Sequence, residues 1–157
     1  MITTDTLRGL LGALVRRTLE DGGHAATWIR DDAARPLIRP SYRIDVTAAD
    51  DYGTRDYAER AADVEIYYYP GNTERPRDEL ADVADRLRAA LRAGFDAGTC
   101  WIYTSDTIDS DTDDGVLSLL FSVEWVETIG DEDAEPMENL IINGEEVVSD
   151  GDYTATY

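Results

Sequence analysis

The sequence predicts an α+β fold: a mainly antiparallel four-stranded sheet covered by two helices, with a C-terminal acidic hairpin extension. Two apolar stripes at helical spacing, one in residues 5–21 and one in 76–93, supply the helices. Runs in which apolar and polar residues alternate supply the strands. The order helix, two strands, helix, two strands then places helices over a sheet. A chain of 157 residues suits one domain, here residues 1–129, with residues 130–157 as an extension. At this size a domain buries roughly 70% of its unfolded surface, so a core forms without staples.

The first helix, residues 5–21, carries Leu7, Leu10, Leu11, Leu14, Val15 and Leu19 on one stripe. Thr4 or Asp5 can cap its start, and Gly22-Gly23 closes it. Arg8, Arg16, Arg17 and Glu20 opposite the stripe make it a core-facing helix rather than a membrane or partner helix. After the breaks at Arg35-Pro36 and Arg39-Pro40, Tyr42, Ile44 and Val46 alternate with Arg43, Asp45 and Thr47, the period of a half-buried strand. Residues 48–54 read as a loop with Asp50, Asp51 and Gly53 as turn residues. A second strand follows over residues 60–69, with Ala62, Val64, Ile66 and Tyr68 on one face and Tyr67 and Tyr69 on the other beside Asp63 and Glu65. Pro70-Gly71-Asn72 stops it, and the two strands pair antiparallel.

The second helix, residues 76–93, starts at Pro76 with Asp78 and Glu79 at its positive end. Leu80, Val83, Ala84, Leu87 and Leu91 form its stripe, and Gly94 ends it. Residues 99–103 read as a strand, 105–115 as an acidic loop, and 116–128 as a long strand with Leu117, Leu119, Phe121, Val123 and Trp125 pointing one way. Beyond them, Asp131, Glu132, Asp133, Glu135 and Glu138 surround Pro136. Leu140-Ile141-Ile142 and Val147-Val148 then flank Asn143-Gly144, a local hairpin signal. A lone hairpin is barely stable in water, so it should dock, either on its own domain or on a neighbouring subunit.

Charge sets the chain apart. It has 14 basic and 34 acidic side chains and a net charge of −20, and every basic residue is arginine. All the arginines lie before residue 93. Such a surface repels itself in dilute buffer, whereas molar salt screens charge to within about 3 Å. The expectation is a protein adapted to a hypersaline cytoplasm or brine. Nucleic acid is not expected as a specific partner, since no basic, aromatic-interleaved patch exists. No apolar run is long enough to span a membrane, and the N-terminus lacks the regions of a signal peptide, so use without classical export is expected.

Little in the sequence points to catalysis. The single Cys100 and single His24 exclude an internal disulfide and a Cys- or His-rich metal cluster. His24 follows Gly22-Gly23 at a helix end, where it faces the helix dipole or solvent. Asp109-Ser110-Asp111-Thr112-Asp113-Asp114-Gly115 approaches a calcium loop, but its glycine comes one place late and Leu120 stands where the twelfth-position glutamate belongs. A solvated acidic loop is the plainer reading. No phosphate-cradling loop or nucleophile elbow occurs, so neither an enzyme nor a cofactor is expected.

Tyr67 and Tyr69 lie away from the apolar set, and exposed tyrosine favours protein contacts. Their strand also carries a family likeness. A Pro-aromatic strand (Pro40 to Val46), an Arg/Tyr turn (Arg55-Asp56-Tyr57-Ala58-Glu59-Arg60) and a strand ending aromatic-aromatic-Pro (Val64 to Pro70) occur in order. The helix with the Leu80-to-Leu91 stripe and a strand after Asp114-Gly115-Val116-Leu117 complete the series. Residues 1–128 in this order resemble the tail terminator family of tailed viruses, also described as tail completion or minor tail proteins.

The resemblance implies a structural virion protein of a halophilic, haloarchaeal virus or provirus, made in the host cytoplasm and sited at the tail–neck junction. It would form a hexameric ring on the tail tube protein, terminate polymerisation and join neck or connector proteins, with DNA passing through the lumen. Candidate contact residues are then Tyr42, Arg55, Tyr57, Tyr67 and Tyr69, with Ile141, Ile142 and Val147 of the hairpin. Candidate acids of the lumen or solvent face are Asp109, Asp111, Asp113, Asp114, Asp131, Glu132 and Asp133. The alternatives are another neck protein, such as a head–tail connector or adaptor, and a non-viral halophilic protein-binding domain.

Overall fold

Three strands of 13 residues dominate the computed structural model. It describes residues 1–30 and 38–130 with their side chains, and the backbone of 140–142 and 145–147. The elements are α1 (Thr4–Asp21), β1 (Thr27–Trp28), β2 (Ser41–Gly53), β3 (Tyr57–Tyr69), α2 (Arg77–Leu91), β4 (Phe95–Asp96), β5 (Trp101–Thr104), β6 (Asp109–Asp113), β7 (Val116–Thr128), β8 (Leu140–Ile142) and β9 (Glu145–Val147). The main sheet runs β1-β2-β3-β7-β5-β4, and β6 also pairs with β7.

The fold is α+β with two helices, and the sheet differs from the expected one in size and mixture. Among the described residues it has seven strands, and β1 lies parallel to β2. Four strands were expected because alternation needs several residues to register, and β1 and β4 have two each. The third addition, β6, was read as an acidic loop because aspartate is depleted in strands. It pairs with β7 through a two-residue turn, Asp114-Gly115, between the partners Asp113 and Val116. Both turn residues have positive φ, 47° and 73°, the backbone of the tight hairpin turn that follows the natural strand twist.

The predicted loop over 48–54 is also strand. β2 runs to Gly53, with a bulge between Ala48 and Asp50 that shifts its register against β3. The turn shrinks to residues 54–56, closed by the Thr54 N–H donating to the Tyr57 carbonyl at 2.8 Å. A bulge breaks the alternation that marks a strand, which is why this half of β2 read as a turn.

The inward positions alternate as predicted. Ile44, Val64, Ile66, Leu119 and Val123 are buried, as are Leu7, Leu11, Val15 and Leu19 of α1 and Leu80, Val83, Leu87 and Leu91 of α2, in one core. The N-cap of α1 is Thr3, whose hydroxyl accepts from the Thr6 N–H at 3.1 Å, one residue earlier than Thr4. Glu79 in the first turn of α2 ties three groups together. It accepts from the Tyr68 hydroxyl at 2.7 Å and from the N–H groups of Gly71 and Asn72, fixing the end of β3 to the helix.

Between the helices, His24 turns from the end of α1 to Asp82 of α2, with Nε2 2.6 Å from Oδ2. Arg86 donates to the same oxygen at 2.8 Å. β8 and β9 pair with each other as a separate two-stranded sheet. The segments 31–37, 131–139, 143–144 and 148–157 lie outside the described residues.

Candidate assembly surface

The buried residues of both helices join one core with the inward residues of the sheet, so among the described residues the other face of the sheet is uncovered. Side chains along a strand alternate between the two faces, so the register assigns each residue to one of them. On β3 the buried positions are Ala58, Ala62, Val64, Ile66 and Tyr68, which puts Tyr57, Glu59, Ala61, Asp63, Glu65, Tyr67 and Tyr69 outward. Across the ladder these outward residues continue into Asp45 and Arg43 on β2, Ser118, Leu120, Glu124 and Val126 on β7, and Asp109 and Asp111 on β6.

One row, for example, reads Asp45, Glu65, Leu120, Asp109. Asp113 pairs with Val116 on the same side, and Asp114 stands at the turn. The predicted acids Asp109, Asp111, Asp113 and Asp114 are all exposed, the first three on the uncovered face and Asp114 at its rim. Asp131, Glu132 and Asp133 lie outside the described residues.

Charge is divided between the two layers. α1 carries three arginines against three carboxylates, and α2 three against four, so the helix layer is close to neutral. On the uncovered face Arg43 is the one arginine among the outward positions of β2, β3, β6 and β7, set among many carboxylates. It pairs with Asp45 at 2.9 Å and stacks over the Tyr67 ring at 4.6 Å. Arg39 stands over Tyr69 at 5.9 Å and donates to the Pro70 carbonyl. The hydrogen bond to Glu65, with a smaller effect of burial, pushes the Tyr67 phenol above its ordinary value.

The tyrosines predicted for partner contact therefore separate. Tyr67 and Tyr69 are partly exposed on the uncovered face, and Tyr57 and Arg55 are exposed at the tip of the β2–β3 hairpin. Tyr42 is not at the surface. It is fully buried, stacked on Trp28 with centroids 6.1 Å apart, and its hydroxyl donates to the Gly12 carbonyl at 3.3 Å. Strand parity explains the difference, since Tyr42 shares the inward face with Ile44 and Val46. Ile141, Ile142 and Val147 lie in β8 and β9, and how their side chains dock is outside the described residues.

Some surface residues were not legible from spacing. Tyr52, Tyr103 and Val126 stand 68%, 62% and 53% exposed at the far end of the uncovered face, around a shallow hollow of about 300 Å³. On the covered side of that end, Glu127 is buried and ion-paired to Arg60 at 3.1 Å, and it accepts from the Ile2 N–H. An acid at the end of an apolar strand, facing an arginine one strand away, was the available signal.

Among the described residues no three His, Cys, Asp or Glu side chains converge as a metal site, and no helix is long and apolar enough to cross a membrane. Burial pushes the Cys100 thiol up, which makes a poor nucleophile. A family model described as phage tail terminator protein matches residues 14–135. No curated protein matches the chain.

Proposed function

From the premise that this chain belongs to the phage tail terminator family, and so has a structural role in the phage tail, we propose that it caps the tail tube. Copies close a sixfold ring on the last ring of tube protein, stop its polymerisation, and present neck proteins with the surface that joins tail to head. The family match carries this reading. The division between a near-neutral helix layer and an acidic sheet face supports it, because a ring around DNA presents unlike surfaces to its lumen and to its outside.

In this ring the uncovered sheet face, with Asp109, Asp111 and Asp113, turns toward the lumen, and the helix layer turns outward. Phosphates meet carboxylates there, so passing DNA gains nothing from counterion release and does not stick. The absence of lysine and the excess of aspartate fit assembly in a host of high internal salt, where screening lets so many carboxylates lie together.

The test is mass by light scattering in about 3 M KCl, where screening is nearly complete, with and without purified tail tubes. A ring-sized species, or capture on tube ends that halts elongation, is the expected result. A strict monomer that ignores tubes overturns the assignment.

A further inference from the structure

At the end of the sheet that carries the β2–β3 turn, both edges of the three long strands are open among the described residues. β1 covers the outer edge of β2 only at Ser41 and Tyr42, and among the described residues nothing pairs with it from Val46 to Gly53. On the opposite edge, β5 reaches β7 only at Val123 and Glu124, which leaves Val126 to Thr128 open among the described residues. An open edge exposes rows of unpaired backbone N–H and C=O groups, a template for another strand. The ladder register points the β2 groups of Val46, Ala48, Asp51 and Gly53 outward, and those of Val126 and Thr128 on β7.

The two edges fit each other better than either fits itself. One row of the sheet runs Tyr52, Glu59, Val126, so both of its ends are exposed and apolar while its centre is charged. Continued into a neighbouring copy, the row brings Tyr52 against Val126 of the partner subunit. β2 and β7 run in the same direction, each being antiparallel to β3, so the new pairing is parallel. β1 already pairs with β2 in that sense on the same edge, and the arriving strand extends its line. A two-fold pairing of two β2 edges instead brings Asp50 and Asp51 of both copies close together around the axis, which like charges disfavour.

We propose that the open edge of β2, residues 46–53, takes the free end of β7, residues 126–128, from a second copy, head to tail. The contact is heterologous, with the two edges on opposite sides of one subunit, so repetition with a closing rotation makes a ring and continues the uncovered face from copy to copy. This seam rests on the ring reading above and adds how the ring is joined.

Paired cysteines test it in the full chain with Cys100→Ser, assembled at high salt and treated with a thiol-specific oxidant. Tyr52→Cys with Val126→Cys should give a ladder of disulfide-linked multimers ending at a closed species, while each single variant stays unlinked. Tyr52→Asp, at an exposed position that leaves the core intact, should raise the concentration needed for assembly at least tenfold with unchanged circular dichroism. Crosslinked dimers from Tyr52→Cys alone overturn the seam in favour of a two-fold edge. A ring of the expected mass that neither crosslinks nor responds to Tyr52→Asp overturns the seam and leaves the ring standing. A wild-type monomer that ignores tube ends overturns both.

Discussion

Gly12 shows how tightly single residues are held. A Cβ there would clash with the Trp28 ring, and Trp28 is itself stacked on the buried Tyr42. Overpacking of this kind costs about 1–3 kcal/mol, so Gly12→Ala should lower the urea midpoint without changing the slope of the transition. Glu79 makes a pH-dependent contribution. Burial alone would raise its pKa, but the hydrogen bonds from Tyr68 and from the Gly71 and Asn72 N–H groups hold the carboxyl below its ordinary value of 4.5. A carboxyl lowered in the folded state stabilises above its unfolded pKa, and that stability is lost as pH falls below it. Wild type should therefore lose stability on acidification from about pH 5 downward more steeply than Glu79→Gln does; equal pH profiles from urea titrations would remove Glu79 from the account.

At the scale of elements, legibility followed local redundancy. The two helices and the strand over 116–128 could be read because each repeats its apolar signal many times, and β7 has the predicted bounds. Strands of two residues, such as β1 and β4, have no period to detect. β6 escaped for another reason: its aspartates suggested a solvated loop, although Asp114-Gly115 is itself a hairpin dipeptide. The bulge at Ala48 hid half of β2 by breaking its alternation.

The surface was legible only in part. Parity correctly put Tyr67 and Tyr69 on the face away from the core, yet the same parity placed Tyr42 inward, where the family likeness had suggested contact. Tyr52 and Val126 became neighbours in one row only through the register of three strands, which no local pattern contains. The hairpin turn yields its own prediction. Gly115 has φ +73°, where a β-carbon costs roughly 1–2 kcal/mol. Gly115→Val should loosen β6 first, seen as faster hydrogen exchange at residues 109–113 than in β3.

For the whole molecule, the unequal layers govern the response to salt. The helix layer balances its charges, whereas the uncovered face does not, so the folded state gains from screening chiefly on that face. The melting temperature should rise between 0.1 and about 3 M KCl as screening becomes nearly complete. Asp109→Asn, Asp111→Asn and Asp113→Asn together should flatten that rise, and an unchanged salt dependence would place the repulsion elsewhere.

The pairing of β3 with β7 also bears on how the chain reaches its fold. Tyr57 meets Thr128 and Tyr68 meets Leu117, so the central ladder joins segments separated by α2 and the small strands. Contacts this distant in sequence must meet the loop-closure entropy before they return any energy, which makes folding slow. The β6–β7 hairpin and α2 can form locally, and the closing event then docks β7 onto β3, carrying Asp109 and Asp111 into the same rows as Glu65 and Tyr67. Salt should therefore act on the rate-limiting step itself. Added KCl should accelerate refolding in stopped-flow measurements, and the three asparagine substitutions should give part of that acceleration in dilute buffer.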